Sequence, residues 1–264
     1  MALGFSSLAF DWLVRKRLGG THLNLFVVEE CTISENFKKC DLLVVQALSL
    51  LFPYKIGASA WSKFYDKVNL NQSWRRSWAV SNYERLRRRA LVEAVSFKLF
   101  DLDHQHVKII LNEVDYPTSV LRDKYFANNL DSRGFWRIDK DIDPEVRHTV
   151  LSLIAFHDLQ EKGLDAFLNQ NDGEGWMIPE VLRLADYGLG HDDRAQEYQP
   201  VASRLGPRFY DWQLNEDVKR SWEECEAHAE LIRKIVPIQA PDDEGIAEVP
   251  TSPTAPSSQQ MNLF

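Results

Sequence analysis

Apolar residues recur at helical spacing near the start of the chain. They predict a helix over Phe5–Arg17, whose basic last turn suits the negative end of the helix dipole. Gly19 follows, at a position where a glycine in the left-handed conformation commonly ends a helix. The apolar run Leu23–Val28 comes next and is typical of a short strand. The first 30 residues therefore predict a helix, a glycine turn and a small β element.

The middle of the chain carries a clearer helical pattern. Ser81 and Glu84 form a capping-box pair, which predicts a helix that begins there and ends around Leu99–Asp101. Its apolar face is expected to comprise Leu86, Ala90, Leu91, Ala94, Val95 and Phe97. Asp103 can cap a further helix over His104–Val114.

Prolines divide the second half of the chain. Tyr116-Pro117 breaks the helical pattern because the residue before a proline avoids helical angles. Residues 128–142 are polar and are predicted to form a loop. Asp143-Pro144 then predicts the start of a helix, since proline suits the first helical position. Pro179 likewise predicts a short helix that continues through Tyr187.

The chain ends in two contrasting segments. An amphipathic helix is predicted from about Asn215, and its glutamates are expected to form a solvated face. Its apolar side comprises Val218, Trp222, Cys225, Ala229 and Ile232. Residues 237–264 are rich in Pro, Ser, Thr and acidic residues, so this tail is predicted to be disordered. The whole pattern predicts a mainly α fold with a small β element near the N-terminus.

Charge is distributed unevenly along the sequence. The net charge of −8 argues against a general nucleic-acid binder. Residues 1–100, however, contain 15 Lys and Arg against 8 Asp and Glu, whereas residues 101–264 contain 16 against 31. Only the first hundred residues are therefore expected to bind a polyanion such as DNA. The alternative is that these basic residues simply lie on the solvent-exposed faces of helices, which would give the same count.

The composition also indicates a compartment. Three cysteines without metal-ligand spacing fit a reducing cytosol, where they are expected to be buried small hydrophobic residues. The longest apolar stretch, Leu42–Tyr54, is interrupted by polar residues and is too short to span a membrane. The basic residues Arg15–Arg17 follow the apolar start, which is the wrong order for an export signal. We expect a cytoplasmic protein without a membrane segment.

Three stretches carry a family resemblance. Residues 18–24, Leu-Gly-Gly-Thr-His-Leu-Asn, and the surrounding residues 10–30 resemble the segment that closes the target-recognition domain of large adenine-specific DNA methyltransferases. That group includes type IIG restriction–modification enzymes and related phage-defence methylases. Residues 89–103 resemble a helix–turn–helix piece that follows this domain, with Asp101 where the family has glycine. Residues 176–193 resemble C-terminal regions of the same enzymes.

Together with the sequence pattern, the resemblance implies that the chain is divided into four parts. Residues 1–35 would be the end of a target-recognition-like domain, and residues 36–165 a helical connector domain. Residues 166–236 would form a C-terminal helical region, followed by the disordered tail 237–264.

The catalytic motifs of that family are absent from the sequence. Such enzymes hold S-adenosylmethionine with a Phe-x-Gly-x-Gly-type loop and bind the flipped adenine with an Asn-Pro-Pro-Tyr-type tetrapeptide. Neither occurs, and Leu51-Phe-Pro-Tyr54 shares only Pro-Tyr. A nuclease would need Pro-Asp followed by acidic-x-Lys, but Pro241-Asp242 lies after the one candidate, Asp217-Val-Lys219. We expect no cofactor in this chain, with S-adenosylmethionine bound by a catalytic partner.

Histidine spacing does not predict a metal site. His104 and His106 are the closest pair, but residues two apart point to different faces of a helix. His191-Asp192-Asp193 could orient a water molecule, yet such loop clusters are usually only solvated.

Two basic stretches are candidates for DNA contact. In the first, cations can meet phosphates and the paired glycines let the backbone approach closely. In the second, tryptophans lie among guanidinium groups, a combination that suits nucleic acid. The predicted DNA-binding residues are Arg15, Lys16, Arg17, Gly19, Gly20, Thr21, His22, Asn24, Arg75, Arg76, Arg85, Arg87, Arg88 and Arg89. Alternatively, Trp74 and Trp78 are core residues while the arginines extend to solvent. We favour this for the tryptophans but not for the arginine run.

The last five residues form a possible docking peptide. Gln260-Met-Asn-Leu-Phe264 resembles the Gln-x-x-Leu-Phe peptide that binds the bacterial replication sliding clamp. Gln260, Leu263 and Phe264 would contact an apolar groove, so the clamp is a candidate partner.

The sequence supports two functions of different classes. The first is the DNA-recognition or scaffold portion of an adenine-specific DNA methyltransferase or restriction–modification system, with double-stranded DNA and a catalytic methyltransferase polypeptide as partners. The second is a non-enzymatic helical interaction protein that scaffolds a defence complex. Binding to duplex DNA discriminates between them.

Overall fold

The structure is a computed structural model that describes residues 2–20, 22–31, 33, 37, 41–64 and 71–235. The helices are α1 (Ala2–Phe5), α2 (Leu8–Arg17), α3 (Leu25–Glu29), α4 (Asp41–Leu51), α5 (Ala58–Lys63), α6 (Asn82–Leu99), α7 (His104–Ile110), α8 (Thr118–Leu121), α9 (Lys124–Ala127), α10 (His148–Lys162), α11 (Leu164–Asn169), α12 (Asp211–Leu214) and α13 (Val218–Ile235). Two strands, β1 (Val181–Leu182) and β2 (Gln199–Pro200), pair antiparallel. The predicted mainly α fold with a small β element is confirmed.

Helix α6 forms where the capping pattern predicts it. The Ser81 Oγ accepts a hydrogen bond from the Glu84 amide at 3.1 Å. The chain leaves the helix after Leu99 through Asp101, which adopts the left-handed conformation with φ 57°. The predicted apolar face packs against α10, where the rings of Phe97 and Phe156 lie 5.5 Å apart. These two helices form the centre of the molecule.

Buried apolar side chains form a main core and two smaller clusters in the described residues. The main core contains residues of α2, α4, α6, α7 and α10 and of the segment 176–202. A second cluster joins α4, α5 and the 3-10 turn Trp74–Ser77 to α13, whose Trp222 and Cys225 are buried there. The amphipathic C-terminal helix is thereby confirmed, although it begins at Val218. Cys31 and Cys225 are buried free thiols, as predicted.

The β element does not lie near the N-terminus. The apolar run predicted as a strand contains the helix α3, with Asn24 as its extended N-cap residue. The predicted first helix is also divided, because Ser7 is extended and its Oγ accepts from the Phe10 amide at the start of α2. Gly19 is not left-handed. Helix α2 ends instead through extended Leu18, with φ −69° and ψ 114°.

Two proline-based predictions are wrong in detail. Pro144 begins a 3-10 turn, Pro144–Val146, and extended Arg147 separates that turn from α10. Pro179 does not begin a helix, because β1 comes after it and only Leu184–Tyr187 forms a 3-10 turn. Neither proline breaks its local backbone preference. The conformation of the residues after Pro144 and after Pro179 is decided by contacts with distant parts of the chain.

Other predictions lie outside what the structure describes. The tail 237–264, including Gln260, Leu263 and Phe264, is among the residues without a described placement, as is Thr21. The division at residues 35, 165 and 236 stays a prediction. Within the described ranges, no helix is both long and apolar enough to cross a membrane.

Glu93 of α6 is an ionisable group inside the main core. Its Oε2 accepts a hydrogen bond from the Leu8 amide at 2.9 Å, at the first turn of α2. Burial raises the pKa of Glu93 to about 8. The protonated carboxyl is therefore the form that the folded protein favours at neutral pH.

The variant Glu93→Gln should remove a pH-dependent loss of stability. A carboxyl whose pKa rises from 4.5 to about 8 on folding binds more protons in the folded state, so wild-type stability falls as pH rises through that interval. Glutamine retains an acceptor oxygen for the Leu8 amide and does not ionise. Urea unfolding between about pH 5 and pH 9 should show the wild type losing roughly 2–4 kcal/mol relative to the variant. A constant difference across that range would contradict the assignment.

Candidate nucleic-acid interface

The basic end of α2 contains one fixed cation, Arg15. Its guanidinium pairs with the Asp11 carboxylate through contacts of 2.9 and 2.7 Å. The hydrogen bond to Asp11 raises the pKa of Arg15. The same guanidinium donates to the Arg133 carbonyl at 2.8 Å and lies 4.6 Å from the centre of the Phe135 ring. Arg15 therefore anchors a distant loop rather than extending freely into solvent.

The next two cations are more accessible. Lys16 and Arg17 are both exposed on the last turn of α2. The Lys16 ammonium lies 5.6 Å from the centre of the Trp12 ring, and the Arg17 guanidinium lies 3.6 Å from the Cys31 sulfur. Beyond them Gly19 and Gly20 are exposed, and space around both is open. This part of the predicted DNA surface can be reached by a ligand.

Arg133 explains how α2 ends. Its guanidinium donates to the carbonyls of Arg15 and Leu18 at 3.2 and 3.0 Å. Carbonyls in the last turn of a helix need such donors, which a left-handed glycine commonly supplies. Here an arginine 118 residues away from Arg15 supplies them. The contact places Arg133 and Phe135, which belong to the segment 122–141, beside the basic end of α2.

That segment adds cations that the sequence pattern did not indicate. A cavity of about 380 Å³ is lined by Arg122, Lys124, Arg137 and Lys140, with Asn128 and Ser132 as further polar groups. One carboxylate, Asp141, lies 3.9 Å from Arg122, but both side chains are more than two-thirds exposed. An exposed pair at this distance is weak, so the arginine stays available. The segment 122–141 contains five Lys and Arg against four Asp, so the clustering of cations is local to this cavity.

We call this region the basic surface. It comprises Lys16, Arg17, Arg122, Lys124, Arg133, Arg137 and Lys140. A second cavity, of about 440 Å³, is lined by Trp12, Lys16 and Arg133 among others. Glu113 and Asp131 also line it, so the basic surface has an acidic spot within it. His22 and Asn24 are exposed on the loop that follows α2.

The second predicted DNA stretch is not a surface, because Arg87 and Arg88 are buried. Both contact the Glu84 carboxylate, Arg87 at 2.8 Å and Arg88 at 2.9 Å. Arg208 approaches the other Glu84 oxygen at 2.5 Å. Burial alone would raise the pKa of Glu84, but the charges of Arg88 and Arg87 outweigh it and hold the pKa far below its usual range. The prediction that Arg87 and Arg88 meet DNA is therefore corrected.

The remaining bonds of this network close it to ligands. Arg87 also donates to the carbonyls of Glu174 and Trp176, and Arg88 donates to the Gln46 side chain. Arg87 uses four of its five N–H donors inside the protein and Arg88 uses two, and both side chains are buried, so phosphate has no access to them. The arginine run was predicted to contact DNA because sequence spacing does not reveal Gln46 and the carbonyls of Glu174 and Trp176, which the fold brings to Arg87 and Arg88.

The tryptophans of this stretch are core residues, as favoured from the sequence. Trp74 and Trp78 are buried with ring centres 5.0 Å apart. Arg75 is largely buried and pairs with Glu216 and, at 2.7 Å, with Glu224 of α13. Glu224 therefore does not belong to a merely solvated face. Arg75 therefore holds α13 in place, and the prediction that Arg75 contacts DNA is corrected.

Three other arginines of this stretch are partly committed to the fold. Arg76 lies 3.8 Å from Glu174 with about a third of its side chain exposed. Arg85 donates to the carbonyl of Ala79, and Arg89 contacts the ring of His148, although both are exposed.

The loop histidine His191 has a defined partner. Its Nε2 lies 2.9 Å from Asp115, and its ring stacks on Tyr116 at 3.7 Å. Asp115 is mostly buried, so this pair fixes the segment 189–196 against the end of α7. The contacts give His191 a structural role. They do not assemble a nucleophile and a base in the described residues.

Comparison with known proteins adds no relative: no family model, no curated protein and no solved structure matches the chain.

Proposed function

We propose that the chain is the DNA-recognition or scaffold portion of an adenine-specific DNA methyltransferase or restriction–modification system. It binds double-stranded DNA through the basic surface, while a separate polypeptide carries the catalytic motifs and S-adenosylmethionine. The observation that supports this most directly is the contact of Arg133 with the carbonyls at the end of α2, which brings this arginine beside the exposed Lys16.

Phosphate contacts are the chemistry that this face offers. Affinity for duplex DNA depends mainly on Lys and Arg that neutralise phosphates and release counterions. Among the described residues, the ammonium groups of Lys16, Lys124 and Lys140 have no carboxylate within ion-pair distance. Gly19 and Gly20 add an open backbone that can approach a phosphate closely. Sequence readout would then fall to side chains such as His22 and Asn24 on the same loop.

A non-catalytic role follows from the sequence and from the resemblance. The two family motifs for S-adenosylmethionine and for adenine do not occur in it. Four large apolar side chains between residues 51 and 56 are also exposed, namely Leu51, Phe52, Tyr54 and Ile56. Such a concentration of apolar surface is typical of protein contacts. In this proposal the catalytic methyltransferase polypeptide covers it.

The double variant Lys16→Glu/Arg17→Glu should weaken DNA binding. Fluorescence anisotropy with a labelled duplex at about 100 mM salt is the measurement, with the catalytic polypeptide present and absent. Loss of two phosphate contacts should weaken binding about tenfold and reduce the slope of log K against log salt by roughly 2. Lys219→Glu is the matched control, because Lys219 is 88% exposed on α13, away from the basic surface.

Equal affinity and equal salt slope for the double variant and the wild type would reject the basic surface. If the wild type itself does not bind DNA, with or without the partner, the second function is favoured. That function is a helical scaffold of a defence complex, and its supporting observation is the exposed apolar stretch 51–56.

A further inference from the structure

Helix α10 carries three groups that can bind a metal ion. His157, Asp158 and Glu161 each offer one ligand atom, and these atoms lie within 4.8 Å of one another. The His157 Nδ1 lies 3.7 Å from an Asp158 oxygen, and the His157 Nε2 lies 3.6 Å from a Glu161 oxygen. His157 and Glu161 are four residues apart, so they share one face of the helix.

These separations fit a small cation. Zinc binds imidazole nitrogen and carboxylate oxygen at about 2.0–2.2 Å, which places neighbouring ligand atoms roughly 3.4 Å apart in a tetrahedron. One ion binds a single nitrogen of His157, and with one ligand atom from each residue the three atoms lie within 4.8 Å of one another, so the side chains have to close in on the ion. Glu161 is 65% exposed, so its side chain can move the remaining distance without disturbing the core.

The His157 ring is held ready for coordination. Its Nδ1 is shielded from solvent, has no hydrogen-bond partner and faces the Asp158 carboxylate. The ring packs edge-on between His104, at 5.5 Å between centres, and Tyr187, at 4.9 Å. A shielded imidazole nitrogen without a partner lacks the hydrogen bond that such a group normally makes. A bound cation would satisfy it.

The Asp158 carboxylate is also oriented by a hydrogen bond from a buried side chain. The Trp176 indole N–H donates to the Asp158 Oδ2 at 2.8 Å, which leaves Oδ1 directed at His157. Trp176 is buried in the main core, so the donor is rigid. Carboxylates that bind metals are commonly oriented by such a second hydrogen bond.

We propose that His157, Asp158 and Glu161 form a binding site for a divalent first-row transition metal of the zinc class. Imidazole with carboxylates favours such ions over magnesium or calcium, which take oxygen ligands. Three protein ligands leave a coordination position open to water. The site is independent of the DNA proposal. In the sequence His106 is the histidine nearest to His104, whereas the fold places His157 beside His104.

Isothermal titration of chelator-treated, tag-free full-length protein with zinc chloride tests the site. The wild type should bind one equivalent of zinc. Removing an orienting group from a metal site weakens affinity about 10–100-fold, so loss of a ligand in His157→Ala or Glu161→Gln should weaken it at least about tenfold. His106→Ala is the matched control, because His106 also lies close to a carboxylate, Asp103, but has no third ligand group beside it in the described residues.

Two results would overturn the proposal. One is the absence of saturable zinc binding by the wild type, and the other is an equal Kd for the wild type and both ligand variants. Circular dichroism verifies that each variant is folded. If His157→Ala unfolds, Glu161→Gln decides, since its side chain is mostly exposed and outside the core.

Discussion

Replacing Glu84 with alanine is expected to lower the free energy of unfolding by about 3–5 kcal/mol. Glu84 is fully buried, and three guanidinium groups contact its carboxylate: those of Arg87, Arg88 and Arg208. Its removal leaves two buried cations without their counter-charge. Urea unfolding followed by circular dichroism is the measurement.

The same network gives a pH dependence with a definite sign. The folded-state pKa of Glu84 is far below the ordinary 4.5, so its stabilising contribution is present above that value. The contribution is lost as pH falls below about 4.5 toward the folded-state pKa. The Glu84→Ala variant should lack this part of the acid-induced loss of stability.

A matched control is Glu223→Ala on α13. Glu223 also pairs with a cation, Lys219, but its side chain is 65% exposed. Exposed pairs contribute about 0–1 kcal/mol, so this change should have little effect. If Glu84→Ala were as stable as Glu223→Ala, the buried network would not hold the fold together.

Replacing Arg147 with alanine is expected to have the second-largest effect, again about 3–5 kcal/mol. Arg147 is completely buried and donates to the carbonyls of Val114 and Tyr116 at 2.7 and 2.6 Å, and of Ile142 at 2.7 Å. Each buried carbonyl left without a donor destabilises by about 1–3 kcal/mol. Water that enters the space left by the arginine side chain would donate to some of these carbonyls, so the costs of the three lost hydrogen bonds do not add fully.

The variant Arg147→Lys separates hydrogen bonding from charge. An ammonium group keeps the charge but cannot reproduce the planar set of guanidinium donors. It should recover less than half of the stability lost in Arg147→Ala, measured by thermal and urea unfolding. Arg122→Ala is the control, because Arg122 is 68% exposed and should change stability by less than about 0.5 kcal/mol. Full rescue by lysine would show that the carbonyl contacts matter little.

Several elements could be predicted from local sequence alone. Ser81 and Asp103 act as helix caps where their spacing indicated, and α13 buries Trp222, Cys225 and Ala229 at helical spacing. The reason is that caps and apolar periodicity depend on residues within one or two turns. The basic last turn of α2 was likewise visible in the sequence.

Elements whose ends depend on distant partners could not be predicted in this way. Gly19 was expected to end α2, but Arg133 supplies the donors from 118 residues away. The run Leu23–Val28 has the apolar composition of a strand but no neighbouring strand among the described residues, and it is helical from Leu25 onward. Pairing partners of this kind are a property of the tertiary structure.

The sequence by itself determined the helical class, the N-terminal caps of α6 and α7, and the basic end of α2. Only the tertiary structure decided which cations are available to a ligand. Arg87 and Arg88 are buried because the fold brings the carbonyls of Glu174 and Trp176 and the side chain of Gln46 to them, in addition to their local partner Glu84, whereas Lys16 and Lys124 stay exposed. The physical reason is that an arginine's exposure depends on whether a carboxylate or carbonyl is brought to it, and that contact is long-range.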